Sequence, residues 1–239
     1  MSGSLIKGSR ATMLVAAGAM ALSLVSAGGA QAATTAERCT IKGYSPTRFA
    51  VAATDTEREF KVSTTGCTQK NWRVDLLVED VAVVLATKAK PVTTFFPKEL
   101  NNALAGRYKI KITVKSTDDK VTRKQFDFSL VRRSTFGATL NVGPEPATEG
   151  ATLKLVGTLK RASWGPTPSY VPYADRTVQV QFRAVGKKKF VNVKVAKTDA
   201  NGNVATTVKV NKSGFWRLRY SGNTTTAGAF SKADGVAVG

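Results

Sequence analysis

The chain has 239 residues, and its 36 lysines and arginines stand against only 16 aspartates and glutamates. It contains no histidine, which excludes Ser-His and Cys-His nucleophile systems, histidine-ligated zinc and the commonest general base at neutral pH. The formal net charge of +20 favours partners of negative charge, because such a surplus attracts polyanions.

The first 32 residues have the pattern of a cleaved signal peptide. Lys7 and Arg10 precede an apolar run, and the small residues Ala30 and Ala32 predict cleavage after Ala32. The apolar run is too short and too rich in Ala, Gly and Ser to predict a membrane span. We therefore expect a secreted protein whose mature chain has 207 residues, a net charge of +18 and no transmembrane segment.

The mature chain contains two cysteines, Cys39 and Cys67. In an exported protein an even pair most simply forms one disulfide, and the alternative is two free buried thiols. With two cysteines and no histidine, a metal site is not expected.

After Ala33 almost every segment alternates apolar and polar residues, which predicts strands with one buried face. In the first half the expected inward sets are Trp72, Val74, Leu76 and Val78, and Tyr108, Ile110, Ile112 and Val114. The outward positions of the second of these strands form a basic stripe of Arg107, Lys109, Lys111 and Lys115. Only 96–106 is expected to hold a helical turn, ending at Gly106.

A second set of strands begins near Phe136, so a domain boundary is expected between Arg132 and Phe136. The expected inward sets here include Val191, Val193 and Val195, and Trp216, Leu218 and Tyr220. Short alternating strands with polar turns about every ten residues predict an all-β chain. The predicted architecture is two consecutive β-sandwich domains, a disulfide-containing one at 33–133 and a second at 134–239.

The second half also resembles a known family. The stretch VGPEPATEGATLKLVGTLKRA resembles the opening of bacterial Ig-like domains common in secreted actinobacterial proteins, and TDANGNVATTVKVNKSGFWRLRYSGNTTTAGAFS resembles their end. The resemblance covers about 135–239 and does not extend over Cys39 to Arg133. It implies an Ig-like sandwich without catalysis that serves as a spacer, an adhesive module or a binding module.

The segment KTDANGNV, 197–204, has two readings. Asp199, Asn201 and Asn203 alternate like the first half of a calcium loop, but no carboxylate follows to complete the ligand set. An Asn-Gly pair between two alternating segments instead predicts a hairpin turn that sets strand register.

Basic residues crowd the expected outer surface, and this surface carries the preferred functional hypothesis. Its members are Arg107, Lys109, Lys111, Lys115, Lys187, Lys188, Lys189, Lys194, Lys197, Lys209, Arg217 and Arg219. We expect contact with an anionic wall or envelope polymer that weakens with salt. The alternative is a solvated surface that protects strand edges. Specific nucleic-acid recognition is not expected, because the aromatic residues of the basic strands are predicted to point inward.

The loop 161–177 holds three aromatic residues among three prolines: Trp164, Tyr170 and Tyr173. One hypothesis is a rigid contact platform for a glycan or another exported protein, as in an interaction or inhibitor module. The alternative is that the rings fold back over the open end of the sandwich.

Acidic residues cluster at three places, namely Asp55, Glu57 and Glu59, then Asp75, Glu79 and Asp80, then Asp118 and Asp119. A glycosidase needs two carboxylates that face one scissile bond. Asp75 and Glu79 are instead expected to face solvent. Asp118 and Asp119 are expected to form a hairpin turn. The sequence therefore predicts a secreted, non-enzymatic binding or structural module with no cofactor and no metal.

Overall fold

The computed structural model describes residues 39–79 and 81–239. The fold is all-β, as predicted: two 3₁₀ turns, Pro97–Glu99 and Asn102–Leu104, accompany strands throughout the described ranges. None of the helical segments within these ranges has the length and apolarity of a membrane crossing. The predicted signal peptide at 1–32 lies outside the described residues, as does Asp80.

Between residues 39 and 133, Asp80 aside, the structure has nine strands. They are β1 (Thr40–Ser45), β2 (Arg48–Val51), β3 (Thr56–Glu59), β4 (Lys61–Thr65), β5 (Gln69–Val78), β6 (Val81–Thr87), β7 (Val92–Phe95), β8 (Gly106–Ser116) and β9 (Val121–Arg132). They form a five-stranded sheet of order β2-β9-β8-β5-β6 and the two-stranded sheets β1-β4 and β3-β7. Strand β2 runs parallel to β9, and β5 runs antiparallel to both β6 and β8.

Eleven strands follow. They are β10 (Ser134–Thr135), β11 (Asn141–Gly143), β12 (Thr152–Thr158), β13 (Lys160–Ser163), β14 (Ser169–Pro172), β15 (Thr177–Ala184), β16 (Val191–Lys197), β17 (Asn203–Lys209), β18 (Gly214–Tyr220), β19 (Ala229–Phe230) and β20 (Asp234–Val236). Their sheets have the orders β10-β13-β14, β11-β12-β17 and β16-β15-β18-β19, and β20 also pairs with β18.

The chain divides into two compact units. The first consists of residues up to Thr47 with Arg58–Thr93 and Tyr108–Phe128. The second consists of Arg48–Glu57, Thr94–Arg107 and Ser129–Gly239. Three short segments from before residue 134 thus belong to the second unit, and the predicted domain ranges 33–133 and 134–239 stay a prediction.

The first unit has the alternation that the sequence predicts. Trp72, Val74 and Leu76 are buried on β5, and Ile110, Ile112 and Val114 are buried on β8. Each such side chain stabilises the fold by about 1.5–3 kcal/mol when it leaves water.

The predicted disulfide is confirmed, since Cys39 and Cys67 are bonded with their Cα atoms 4.9 Å apart.

The second unit buries one core between the sheet β11-β12-β17 and the sheet β16-β15-β18-β19. One sheet contributes Leu153, Leu155, Val204 and Val208, and the other contributes Val178, Val180, Trp216, Leu218 and Tyr220. Two sheets whose inward residues share one core form a β-sandwich.

The prediction that Val191, Val193 and Val195 face the core is wrong. Their exposed fractions are 56%, 49% and 59%. For Val193 and Val195 the cause is a bulge, because the pairing of β15 with β16 shifts between Val180 and Gln181 and leaves Val193 without an opposite residue. Val191 stands opposite Phe182 and is exposed at the edge of the sheet. Lys194 and Ala196 stand opposite the buried Val180 and Val178 instead.

The Asn201-Gly202 segment forms a tight turn, but the predicted hairpin is wrong. Strand β16 before it belongs to one sheet and β17 after it belongs to the other, so the turn connects the two layers of the sandwich. The Gly202 nitrogen donates to the Asp199 carbonyl at 3.0 Å, and the Asp199 nitrogen donates to the Asn203 carbonyl at 2.9 Å.

Candidate functional site

Three arginines lie on the outer surface of the sheet β16-β15-β18-β19. On β18 the residues Trp216, Leu218 and Tyr220 are buried, so Arg217 and Arg219 point away from the core, as predicted. Arg183 of β15 stands opposite Phe215 of β18, and Gln181 stands opposite Arg217. The side chains of Arg183, Arg217 and Arg219 therefore share one surface, which we name the arginine face.

Phenylalanine rings support the arginine face. The guanidinium carbon of Arg217 lies 3.9 Å from the ring centre of Phe190 and 4.3 Å from that of Phe230. Arg183 lies 4.5 Å from the ring centre of Phe215, and Arg219 lies 5.7 Å from that of Phe230. Stacking on a ring holds the planar guanidinium and leaves its edge N–H groups able to bind carboxylate or phosphate.

The prediction that the basic strands place their aromatics inward is therefore wrong for this surface. Phe215 alternates with Trp216 and so lies on the same side as Arg217, and Phe230 is exposed. The alternation along β18 could have predicted the outward position of Phe215, since positions 215, 217 and 219 lie on the same side of a strand. Phe190 precedes β16 and no strand pattern assigns it.

Hydrogen bonds fix the central arginine. Arg217 Nε donates to Gln181 Oε1 at 2.8 Å, and Gln181 Nε2 donates to Asn192 Oδ1 at 2.7 Å. Burial, together with the neighbouring Arg219 and Arg183, lowers the pKa of Arg217. The like charges of Arg219 and Arg183 thus disfavour the charged form of Arg217. A bound anion would relieve that repulsion.

The charge of the C-terminal part is not internally balanced. Residues 134–239 contain 15 lysines and arginines and 5 aspartates and glutamates, a net charge of +10. The described side chains of this range form no ion pair with one another. Lys187, Lys188 and Lys189 are exposed in the connection from β15 to β16, where the Lys187 carbonyl accepts from Arg183 Nη1 at 3.0 Å.

Of the three other predicted lysines of this region, one takes an unexpected position. Lys194 is exposed but does not share the outer face of its sheet, since its Nζ donates to the Thr207 carbonyl on the opposite sheet at 3.0 Å. The bulge at Val193 places Lys194 at an inward position at the edge of the sandwich. Lys197 and Lys209 are exposed, as expected.

The basic stripe on β8 is partly neutralised by acidic neighbours. Arg107 and Lys109 are exposed, and Lys111 and Lys115 are half-buried. Lys109 Nζ lies 2.7 Å from Asp127, and Lys115 Nζ lies 2.9 Å from Asp119. Lys115 and Lys70 both hydrogen-bond to Asp119 and lower the pKa of its carboxyl to about 2. Two of the four predicted contacts thus already bind a carboxylate.

The segment 161–177 is largely a hairpin. Strands β13 and β14 pair with Ala162 opposite Tyr170. Trp164 is 4% exposed, and its Nε1 lies 3.4 Å from the Val51 carbonyl. Tyr173 is 5% exposed and Tyr170 is half-buried. Burial removes Trp164 and Tyr173 as surface contacts and favours the alternative in which these rings cover the core.

Tyr173 instead organises a buried polar cluster in the second unit. Its hydroxyl lies 2.9 Å from Asn223 Nδ2, 3.3 Å from Thr226 Oγ1 and 3.4 Å from the Tyr220 hydroxyl. Burial raises the pKa of Tyr173, but these hydrogen bonds and the nearby Arg161 outweigh it, so the pKa lies below its ordinary value. Burial and the hydrogen bond to Tyr173 raise the pKa of Tyr220.

Arginines line the same cluster. The Arg161 guanidinium lies 4.1 Å from the ring centre of Tyr173, and the Arg176 guanidinium lies 4.9 Å from it. Arg132 is buried, and its Nε donates to the Ala162 carbonyl at 2.6 Å. Burial and the charge of Arg161 lower the pKa of Arg132 to about 10. This cluster joins strands of the second unit around the buried Tyr173 hydroxyl.

The acidic residues do not group into a metal-binding cluster within the described ranges. No group of three or more aspartates, glutamates or cysteines there has metal-ligand proximity. The expectation that Asp75 faces solvent is wrong, since this side chain is only 2% exposed. Asp75 lies on a central strand between Lys111 and Val84, and Arg73 Nε donates to its carboxylate at 2.5 Å. Longer neighbours thus cover the short aspartate.

The Asp199 carboxylate is used within its own turn. Its Oδ1 accepts from the backbone nitrogens of Asn201 at 2.9 Å and Asn203 at 2.8 Å. Its Oδ2 accepts from Asn203 Nδ2 at 3.3 Å. These hydrogen bonds form an Asx-type turn, in which the Asp199 carboxylate accepts from donors of its own turn.

No family model matches the chain, and no curated protein sequence matches it. Among solved structures, the fibronectin(III)-like modules of Clostridium thermocellum CbhA share 15% identity over 84% of this chain and 93% of that chain, with a TM-score of 0.36. A tetra-tandem repeat in the extending region of a large adhesion protein shares 11% identity over 79% of this chain and 48% of that chain, with a TM-score of 0.31. Murine CEACAM1b shares 10% identity over 84% of this chain and all of that chain, with a TM-score of 0.33. None of these similarities carries a functional assignment.

Proposed function

We propose that the protein is an exported, non-enzymatic binding module whose arginine face contacts a phosphate- or carboxylate-bearing polymer of the cell wall or envelope. The observation that carries the proposal is the geometry of Arg183, Arg217 and Arg219. They share one sheet surface, are stacked on phenylalanine rings, and have no carboxylate partner within residues 134–239.

The spacing of the three guanidinium groups suits a polymer. Arg217 and Arg219 are two residues apart on one strand, which separates their Cα atoms by about 7 Å. Arg183 is the diagonal cross-strand neighbour of Arg217, also at about 7–8 Å. A repeating polyanion can therefore contact all three arginines at once, whereas a single small anion contacts one or two.

Export is supported by two features of the chain. The disulfide between Cys39 and Cys67 is of the kind that persists in oxidising compartments. The residues before Ala33 have the composition of a secretory signal. A module outside the membrane meets wall and envelope polymers, which are the abundant polyanions there.

The test compares two variants with the same change of charge. The first replaces Arg183, Arg217 and Arg219 by glutamine, and the second replaces Arg107, Lys109 and Lys115 of the basic stripe on β8. Retention of each protein is measured on isolated cell walls that carry a phosphate polymer and on the same walls after acid removes it. We expect only the arginine-face variant to lose retention, with a salt slope reduced by about 2.

Three results would contradict the proposal. Equal loss in both variants would mean that total charge, not the arginine face, determines binding. Unchanged retention in the arginine-face variant would remove the face from the interaction. Single-stranded DNA and inorganic polyphosphate can also compete with the wall for the protein at equal charge. If the DNA competes more strongly, the arginine face binds nucleic acid by base stacking on Phe230. Thermal unfolding of both variants checks that they are folded.

A further inference from the structure

A pocket opens at the side of the sandwich in the second unit, away from the arginine face. Strand β16 is the edge of one sheet and β17 is the edge of the other, and the two share no hydrogen-bonded ladder. The pocket between them has a volume of about 360 Å³. This is near the lower end of the range of about 300–1,000 Å³ that small-molecule sites occupy.

The bulge in β16 explains why the pocket exists. A regular strand would place a valine over the core at this edge, but the register shift puts Lys194 opposite Val180. Lysine does not fill the space with apolar volume, and its Nζ reaches across to the Thr207 carbonyl at 3.0 Å. The gap between the two edge strands therefore stays open below Lys194.

The inner wall of the pocket is apolar. Phe182 and Trp216 pack with ring centres 4.7 Å apart, and Val193 and Val208 complete the apolar wall. An alkyl chain that lies against these side chains leaves water, which favours binding.

The rim of the pocket is cationic. Lys194, Lys209 and Lys212 lie among its lining residues, and no aspartate or glutamate does. Three lysines beside an apolar wall favour a ligand that is apolar at one end and anionic at the other.

We propose that this pocket binds a small organic anion, a carboxylate with a short alkyl chain. The chain lies against Phe182 and Trp216, and the carboxylate lies at the lysine rim. This site is separate from the polymer contact proposed above, since none of its lining residues belongs to the arginine face.

The test uses decanoate as the probe and 1-decanol as its uncharged match, with binding followed by titration calorimetry on the full mature chain. We expect decanoate to bind with a stoichiometry of one, and decanol to bind about tenfold more weakly because it lacks the charge that the lysines contact. Equal affinity of the two probes, or no binding of decanoate at millimolar concentration, would overturn the proposal.

Variants locate the site. Lys194→Gln with Lys212→Gln should weaken decanoate binding about tenfold, whereas Lys187→Gln with Lys188→Gln removes the same charge outside the pocket and should not. Val193→Trp places a large side chain at an exposed bulge position, where folding tolerates it, and should abolish binding. Undiminished binding in Val193→Trp would overturn the assignment to this pocket. The arginine-face variant should bind decanoate normally, so failure here and failure of polymer retention are distinguishable.

Discussion

Gly202 packs against the backbone of Leu159 so closely that no side chain fits between them. A Cβ on Gly202 would overlap the Leu159 carbonyl oxygen and lie 2.9 Å from the Tyr173 nitrogen. The Gly202 carbonyl also accepts from the Leu159 nitrogen at 2.8 Å, so the two residues cannot separate without losing a hydrogen bond. The connection between the two sheets depends on this approach.

Gly202→Ala should therefore destabilise the protein by about 3 kcal/mol or more, from positive φ and overlap together. Gly186→Ala is the matched control, because Gly186 has φ +76 against +75 for Gly202 but open space around its Cβ position. The control should cost about 1–2 kcal/mol. Urea denaturation measures the free energy of unfolding of both variants. Equal losses of stability would contradict the close packing of Gly202 against Leu159.

Replacing Cys39 and Cys67 together by serine should lower the free energy of unfolding by about 3–4 kcal/mol in the chain-entropy model, since the bond closes a loop with a sequence separation of 28. Reduction of the wild-type protein should give the same loss. A double variant as stable as the oxidised wild type would show that the crosslink does not constrain the unfolded chain.

Asp119 makes stability depend on pH in the acid range. Hydrogen bonds from Lys115 and Lys70 lower the pKa of Asp119 from 3.8 to about 2. A folded-state pKa below the unfolded value gives stabilisation that is present above pH 3.8 and lost as pH falls through 2. Asp119→Asn keeps a residue that tolerates the positive φ of 61° and removes the charge.

The stability difference between wild type and Asp119→Asn should therefore be constant at neutral pH and vanish as the pH approaches 2. Urea denaturation at a series of pH values measures it. A difference that persists undiminished at the acid end of the series would show that the lysines do not act on this carboxylate.

Tyr173→Phe should destabilise the second unit by about 1–3 kcal/mol, because the buried Tyr220 hydroxyl loses its acceptor, as does the exposed Asn223 amide. Tyr220→Phe is the comparison. The Tyr220 hydroxyl makes one hydrogen bond, to the Tyr173 hydroxyl, and its removal leaves no other donor without an acceptor. Thermal unfolding should rank Tyr173→Phe as the more damaging change. The reverse order would mean that the Tyr173 hydroxyl is not the centre of the cluster.

Sequence patterns predict what local geometry determines. Alternation along one strand correctly assigns Trp216 to the core and Arg217 to the surface, because side chains on a strand alternate whatever the partner strand does. The same rule would have placed Phe215 beside Arg217. The all-β fold and the disulfide likewise follow from composition and pattern.

Features that depend on two distant segments are not visible in the sequence. The inward position of Lys194 follows from a register shift between β15 and β16, and one strand's pattern does not contain its partner's register. The burial of Trp164 depends on Val51, which is 113 positions earlier. Asp75 is buried because its strand lies between two others. Its burial can therefore be predicted only when both neighbouring strands are known.

The bulge at Val193 has a consequence for self-association. Strand β16 is a sheet edge with three exposed valines, and a straight edge of that composition would add strands from other copies of the chain. The extra residue bends the edge and breaks the regular spacing of its free N–H and C=O groups, and Lys197 adds a charge at its end. The irregularity that opens the pocket thus also guards the chain against edge-to-edge aggregation.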